Sequence, residues 1–323
     1  GGTICGNAVK SDSSDNKSRS GGGVYVAKNG KFTMSGSAAI TDNTGNYGGG
    51  VYVNDGTFTM NGGTISGNKT HPNSGGGVYL YSGVNNAEST FTMNGGTISN
   101  NTANNYGGGV FVEATTDTSK HASSTFNMTG GTICGNNAAA GGGVATMNGG
   151  TFNMSDSTDI SKNTASQNGG GVYFGNGNFT VSGNVQITDN WKNSITNNVY
   201  LSDRKTIHIL DAGLYKNAHI GVTTAEAPGA NKLIQIAYGA NGTVDYKQIF
   251  TPDEVDKGYT VFKSSSDSSL YLKVHQHSWE YTASGTTITA TCQASGCPLT
   301  DKIGGTLTLV PPTKTDLTYD GSP

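Results

Sequence analysis

The chain has 323 residues, a net charge of −3, 50 glycines and only 13% charged residues. This weakly acidic composition, without a basic patch, argues against nucleic acid as a partner. No apolar stretch approaches the roughly 18 residues that a spanning helix needs, so the sequence predicts no membrane insertion. Glycine-rich chains with few apolar residues are often disordered, but here the apolar residues recur at intervals, which predicts a repeat fold.

The chain starts in mid-repeat, at GGTICGN, without an initiating methionine. We therefore expect it to be a piece of a longer protein whose signal and anchor lie outside this sequence. A polar stretch at residues 8–20 separates the first partial repeat from the next one.

From residue 21 to about residue 190, units of about 26 residues or more follow one another. Each unit begins with GGG and valine, continues through a run centred on phenylalanine, and ends in Ile-x-x-Asn. Because strand side chains alternate between two faces, Val51, Phe58 and Ile65 of one unit can share an inner face. The Ile-x-x-Asn signature begins at Ile4, Ile40, Ile65, Ile98, Ile133, Ile160, Ile187 and Ile195.

Three short strands and three turns per unit predict an all-β fold, a right-handed parallel β-helix of about eight or more coils. A β-propeller would need about 40 or more residues per blade, which is longer than these units. Like residues should stack on like residues in successive coils. The repeated asparagines at one corner therefore predict an internal ladder of side-chain amides.

Two neighbouring repeats carry long insertions after their first strand, at residues 81–90 and 113–125, where other repeats have four or five residues. Insertions in repeat proteins gather on one face, often the binding face, so these loops predict a joint binding surface. Drift is the alternative, since long surface loops cost little free energy. The candidate binding residues of the loops are Tyr81, Asn85, Asn86, Glu113, Asp117 and Lys120.

An aromatic column is predicted on the outer face of the first strands, and Ala145 interrupts it. Aromatic side chains can stack on sugars, which makes the column a second candidate binding site. They also stack on each other and stiffen a sheet, which is the structural alternative. The members of the column are Tyr25, Tyr52, Tyr79, Phe111 and Tyr173.

After the regular repeats of residues 1–190 the glycine punctuation stops. Residues 191–274 are predicted as irregular final coils and a cap, because the end of a solenoid must be covered. Residues 275–312 are predicted as a small β module with strands at 286–291 and 306–310, and residues 313–323 as a linker and the start of a further module.

The small module contains His275, His277, Cys292 and Cys297. A Cys292–Cys297 disulfide is one prediction, which suits an oxidising, extracellular location. The same four residues are the ligands of an alternative zinc site, although C-x4-C is a loose spacing for zinc. Free thiols are the third possibility. No other metal and no cofactor are predicted.

The paired motifs GGGV and Ile-x-x-Asn resemble the GGA-[ILV] and F-x-x-N repeats of chlamydial polymorphic outer-membrane proteins, over about residues 1–200. NNVYL, HIGVTTAEAP and DKGYTVF, followed by H-x-H-x-W, look closer to large multidomain surface proteins of Gram-positive bacteria. The resemblance implies an adhesin-like protein on the bacterial cell surface. Host glycans or host surface proteins would be its partners, together with further modules of its own chain.

Other β-helix families are pectate lyases and glycoside hydrolases, so a carbohydrate-active enzyme is the alternative function. Hydrolysis of this kind uses two carboxylates that face one cleft. The acids of the repeats are instead scattered over different coils and corners. The predicted function is therefore non-catalytic, in adhesion or structural display. The threonines at positions such as Thr57 and Thr59 also resemble the face of ice-binding β-helices, although Thr is a common strand residue.

Overall fold

The computed structural model describes residues 1–9, 20–242, 244–293 and 302–309. Within these residues the chain forms the predicted right-handed parallel β-helix, which confirms the fold class. We call its three sheets the Val, Phe and Ile sheets, after the inward residue that recurs in each. The predicted linker at 313–323 lies outside the described residues.

The Val sheet contains the strand that follows each GGG corner and, in the next coil, the strand that follows Asn198. Its strands pair in parallel and in register, so that Val78 lies between Val51 and Val110. The side chains of these three valines are completely buried. The strands are Val24–Val26, Val51–Asn54, Val78–Ser82, Val110–Ala114, Val144–Met147, Val172–Phe174 and Val199–Leu201.

The Phe and Ile sheets line the other two sides of each coil. The Phe sheet begins with Lys31–Met34, Thr57–Met60 and Glu88–Met93. The Ile sheet begins with Thr3–Cys5, Ala39–Thr41, Thr64–Ser66 and Thr97–Ser99. In later coils one long strand belongs to both sheets, as in Ser123–Cys134, Thr151–Ser161 and Asn178–Thr188. Short strands at the next corner are Thr44–Gly45, Lys69–Thr70, Asn137–Ala140, Thr164–Asn168 and Trp191–Lys192.

Identical side chains stack along the interior of the helix. The rings of Phe58, Phe91 and Phe126 are parallel to within 6°, with centroids 4.6 and 4.8 Å apart. Offset stacking at this spacing adds to the free energy of apolar burial. The strand spacing of the sheet and the stacking distance of aromatic rings are nearly equal, which is why one ring per coil fits.

The GGG corner requires glycine for two different reasons. Gly48 has a φ of 59°, in the left-handed region that side chains disfavour. A Cβ atom on Gly49 would lie 2.4 Å from the carbonyl oxygen of Lys69, and one on Gly50 would lie 2.7 Å from that of Gly77. The corner is therefore too tight, and too close to the following coil, for any larger residue.

The asparagines form the predicted internal ladder. The Nδ2 atom of Asn68 donates to Oδ1 of Asn101 at 2.9 Å, and Nδ2 of Asn101 donates to Oδ1 of Asn136 at 3.0 Å. Each Oδ1 also accepts the backbone N–H of the preceding asparagine, as Asn101 accepts from Asn68 at 3.0 Å. The same donation pattern passes through Asn7, Asn43, Asn68, Asn101, Asn136, Asn163, Asn190 and Asn198.

In the last Ile-x-x-Asn signature, only the asparagine takes the position that the pattern predicts. Asn198 joins the ladder, but Ile195 is 67% exposed, so its predicted place in the core was wrong. It lies in the short strand Ile195–Thr196, which turns back antiparallel onto Trp191–Lys192. Ile220 takes the core position instead and pairs with Ile187.

The final coils keep the parallel stack but lose the regular unit. Their parallel strands are Ile207–Leu214, His219–Thr224, Ile234–Tyr238 and Phe250–Pro252. Two antiparallel strands, Tyr259–Lys263 and Leu270–Val274, pair with each other, and the second also pairs with Ile234–Tyr238. A helical turn at Tyr246–Ile249 and a 3-10 turn at Val255–Lys257 complete this end, where Ile249 and Phe250 are fully buried.

Asp253 ends the asparagine ladder. Its carboxylate accepts from the backbone N–H of Asn198 at 2.7 Å, from Nδ2 of Asn198 at 2.6 Å and from Oγ1 of Thr223 at 2.9 Å. A carboxylate only accepts hydrogen bonds, so it can receive the last amide without passing a donor onward. Burial nevertheless raises the pKa of Asp253 to about 6, because the loss of hydration outweighs these hydrogen bonds.

We expect the free energy of unfolding to fall as the pH rises through about 6. A pKa raised in the folded state means that the folded chain holds the proton more tightly, so this contribution is complete below the usual Asp pKa and is lost above pH 6. A shift of this size corresponds to roughly 3 kcal/mol between pH 4 and pH 7. Chemical denaturation at several pH values should show this fall, and the Asp253→Asn variant should lose that part of it.

Asp256→Asn is the matched control, because Asp256 is an exposed acid three residues away. This variant should keep the pH dependence of the parent chain. The assignment to Asp253 fails if the two variants show the same pH profile.

Beyond Val274 the chain forms a three-stranded antiparallel sheet of Trp279–Ser284, Thr287–Cys292 and Ile303–Thr308. The second and third strands lie close to the predicted ones. The first was not predicted, although Trp279 and Tyr281 alternate with polar residues, a pattern that is typical of a strand. All residues of the first and third strands are exposed.

Candidate functional site

The aromatic column stacks on itself, as the structural alternative predicted. The rings of Tyr79 and Phe111 lie 5.1 Å apart at 10°, and Tyr52 and Tyr79 are also 5.1 Å apart. Ring faces that cover each other cannot take a sugar between them. The column lies on the outer face as predicted, in a cluster separate from the inner core, but Tyr52, Tyr79 and Phe111 are only 4–7% exposed.

Two tyrosines that the sequence analysis did not select cover one side of the column. Tyr47 stacks on Tyr79 at 5.4 Å, and Tyr106 stacks on Phe111 at 5.5 Å. Each directly precedes a GGG corner, in the sequence NYGGG, and this shared position is the signal that was missed. Tyr106 also contacts Tyr173 at 5.9 Å and so spans the gap left by Ala145.

The ends of the column are more accessible. Tyr25 is 43% exposed and lies 5.4 Å from Tyr52. At the other end Tyr173 is half-buried and stacks on Tyr200 at 5.6 Å and 7°. Within the column itself, the ring faces are therefore most accessible near these ends, and the middle of the column stiffens the Val sheet.

Glu113 anchors the other side of the column. Its carboxylate accepts a hydrogen bond from the hydroxyl of Tyr79, and its Oε1 accepts from Nδ2 of Asn148 at 2.6 Å. Burial, together with this carboxylate, raises the pKa of Tyr79 well above its usual value. Glu113 also pairs in register with Tyr81 at the edge where both long loops leave the Val sheet. It therefore fixes the base of the loops.

The two long loops contact each other and form one ordered surface. The backbone N–H of Asn86 donates to the carbonyl oxygen of Lys120 at 2.8 Å, and that of Ser123 donates to Ala87 at 3.0 Å. The backbone N–H of Thr115 donates to Ser82 at 2.9 Å, near the start of both loops. We call residues 83–88 and 115–122 the joint loop surface.

Most side chains of the joint loop surface are polar and exposed. Asn85 and Asn86 are exposed on the first loop, beside Val84. On the second loop, a 3-10 turn at Thr118–Lys120 follows Asp117. Asp117 accepts from the Oγ of Ser119 at 2.5 Å, which holds the pKa of that carboxyl below its usual range, and it lies 3.9 Å from Nζ of Lys120.

Asp55 lies in the coil before the first loop and forms hydrogen bonds with the start of that loop. Its Oδ1 accepts from the Oγ of Ser82 at 2.9 Å and from the backbone N–H of Gly83 at 3.3 Å. Asp55 and Glu88 line a groove beside Lys28, but Asp55 is only 6% exposed and is engaged by the loop. The acid that this groove exposes to solvent is Glu88.

A second groove, of about 390 Å³, lies where the regular coils meet the final ones. Its wall includes Arg204, Lys205 and an exposed Tyr238, whose ring stacks on His208 at 4.4 Å and 5°. The sequence analysis missed this site. His208 and Tyr238 come from strands 30 residues apart that carry no repeat signature, so only their register brings them together.

The structure brings three of the four predicted zinc ligands together, namely His275, His277 and Cys292. His275 and Cys292 are buried, and His277 is half-buried. Cys297 lies outside the described residues, so the Cys292–Cys297 disulfide stays a prediction.

Comparison of the chain with models of protein families, with curated proteins and with solved structures gives no match. Over the described part of the chain, no helix has the length and apolarity needed to cross a membrane.

Proposed function

We propose that this chain is a non-catalytic, extracellular β-helical rod of a bacterial cell-surface protein. Its joint loop surface binds a host glycan or a host surface protein. The observation that carries the proposal is the pair of hydrogen bonds between the loops, Asn86 to Lys120 and Ser123 to Ala87. A β-helix coil needs only a short corner at this position, and ordering a longer one costs conformational entropy without adding to the core.

The chemistry of the joint loop surface suits a hydroxyl-rich or polar ligand. Exposed amides at Asn85 and Asn86 both donate and accept hydrogen bonds, and Asp117 and Lys120 add one charge of each sign. Because Glu113, Asp55 and the paired loops fix this surface, a ligand would meet groups that are already ordered. Such preorganisation lowers the entropic cost of binding.

The rod beneath the loops supports a role in display. One apolar core runs from Val26 to Leu272, and the amide ladder follows the same axis. A glycoside hydrolase would need two carboxylates that face one cleft. In the groove beside Lys28, Asp55 is tied to Ser82, which favours a structural role for that acid.

The test is a glycan and host-protein binding array, followed by the double variant Asp117→Asn/Lys120→Gln. We expect at least a tenfold loss of affinity for the target, because each lost polar contact at a binding surface costs about 1 kcal/mol or more. The melting temperature should stay nearly unchanged, since Asp117 is exposed and Lys120 is only half-buried.

The control is Asp211→Asn/Lys216→Gln, which makes the same change of charge at exposed positions of the final coils. It should bind as the parent chain does. Neither double variant alters the net charge, so equal weakening by the control would mean that the effect does not come from the joint loop surface. If neither variant matters, the site lies elsewhere, and the groove at Arg204 and Tyr238 becomes the next candidate.

A further inference from the structure

We infer that His275, His277 and Cys292 bind one zinc ion that holds the small β module together and joins it to the end of the rod. This inference is independent of the proposed binding function. The ligand atoms of the three side chains all lie within 4.8 Å of one another. Two imidazoles and one thiolate form a donor set that zinc favours in proteins.

The distances suit a tetrahedral ion. The Sγ of Cys292 lies 3.6 Å from the Nε2 of His275. Zinc bonds of about 2.0–2.1 Å to nitrogen and 2.3 Å to sulfur, at the tetrahedral angle, place those two atoms about 3.6 Å apart. The rings of His275 and His277 are 4.7 Å apart and inclined at 73°, so their nitrogens can approach one ion from different directions.

The neighbouring residues hold both histidines in place. The backbone N–H of His275 donates to the carbonyl oxygen of Gly258 at 2.8 Å, within the end of the rod. The ring of His277 stacks on that of Trp279 at 4.5 Å and 18°. Because Trp279 also pairs with Cys292 across the sheet, the three ligands are set by one local structure.

The module needs such a link, because it buries little apolar surface. Among its described residues, none belongs to the hydrophobic core of the rod, and Cys292 is the one buried residue of the strand Thr287–Cys292. Small domains without a sufficient core are stabilised by metals or disulfides. The Sγ of Cys292 lies beside the imidazoles of His275 and His277, a setting that suits a metal ligand.

The test measures zinc in the tag-free protein after reduction, loading with ZnCl2 and desalting. We expect about one zinc per chain in the parent protein and less than about a tenth of that in His275→Ala and Cys292→Ser, since structural sites bind tightly. The control is Cys134→Ser, because Cys134 is a half-buried thiol in a regular coil. This variant should bind as much zinc as the parent protein. A parent chain without stoichiometric zinc overturns the inference, as does equal loss in the control.

A second measurement does not depend on whether the His275 and Cys292 variants fold. In a Trp191→Phe background, Trp279 is the one remaining tryptophan, since the chain has two. Zinc titrated into the reduced, metal-free protein should change its fluorescence with a one-to-one end point, because His277 stacks on that ring. Mass spectrometry distinguishes the rival: a Cys292–Cys297 disulfide that persists in the zinc-loaded, reduced protein would contradict the inference.

Discussion

Replacing Ile98 by aspartate should lower the free energy of unfolding by about 4 kcal/mol or more, the range of a buried charge without a partner. Ile98 is fully buried and pairs in register with Ile65 on one side and Ile133 on the other. Solenoid stability is a sum over neighbouring units, so damage in mid-stack should also uncouple the two halves. Denaturant unfolding followed by circular dichroism should then show two transitions or a broad one.

Thr97→Asp provides the matched control in the same strand. The Thr97 side chain points outward, and two coils later Asp159 stands at the equivalent position. We expect a change within about 0.5 kcal/mol, as for most surface substitutions. Equal destabilisation by the two variants would refute the assignment of inner and outer faces.

The second large effect should follow from Asn136→Ala. Asn136 is fully buried, and its Oδ1 accepts from the backbone N–H and the Nδ2 of Asn101 at 2.9 and 3.0 Å. Its Nδ2 donates to Oδ1 of Asn163 at 2.9 Å and to the carbonyl oxygen of Ile98 at 3.0 Å. Removing the amide takes away these four buried hydrogen bonds and leaves the backbone N–H of Asn101 without its side-chain acceptor, which we expect to cost about 3–5 kcal/mol in total.

The control is a variant of the neighbouring residue, Asn137, and equilibrium denaturation measures the stability of both variants. Asn137 is exposed, and its Nδ2 donates to Oγ1 of Thr164 at 2.8 Å. Asn137→Ala should cost less than about 1 kcal/mol, because water replaces an exposed partner. A small effect at both positions would mean that the ladder contributes little to stability.

The regular coils could be predicted from the sequence because the residue pattern, the strands and the buried positions all repeat once per coil. Valine, phenylalanine, isoleucine and asparagine recur at fixed places, and each place has one environment. Phe91 and Asn101 could be assigned from pattern alone, since strand alternation and the GGG corner leave one register. The prediction failed at Ile195, where a hairpin turns the signature out of the core while Asn198 stays in it.

The candidate sites were harder to predict, because they depend on what covers a side chain. Pattern placed Tyr79 on the outer face but could not show that Tyr47, from the corner of another coil, lies over it. The two loops were located by length alone, whereas their hydrogen bonds to each other depend on backbone conformation. The histidines and Cys292 were recognised as donors, but Cys292 follows His277 by 15 positions, and the sequence could not show that they meet.

The ladder has a direction. Every ladder amide donates one hydrogen to the next ladder residue toward the C-terminal end, as Asn43 donates to Asn68. Asn198 finally donates to Asp253, whose carboxylate donates nothing onward. The carboxylate can end a stack of any height, since Asn198 is the one ladder residue that it contacts within the described part of the chain. Copying or deleting one coil would therefore move the joint loop surface in steps of about 4.8 Å, the strand spacing, without any change to the terminus. The length of such a rod is a whole number of coils. Natural variants of different length should therefore differ by whole coils.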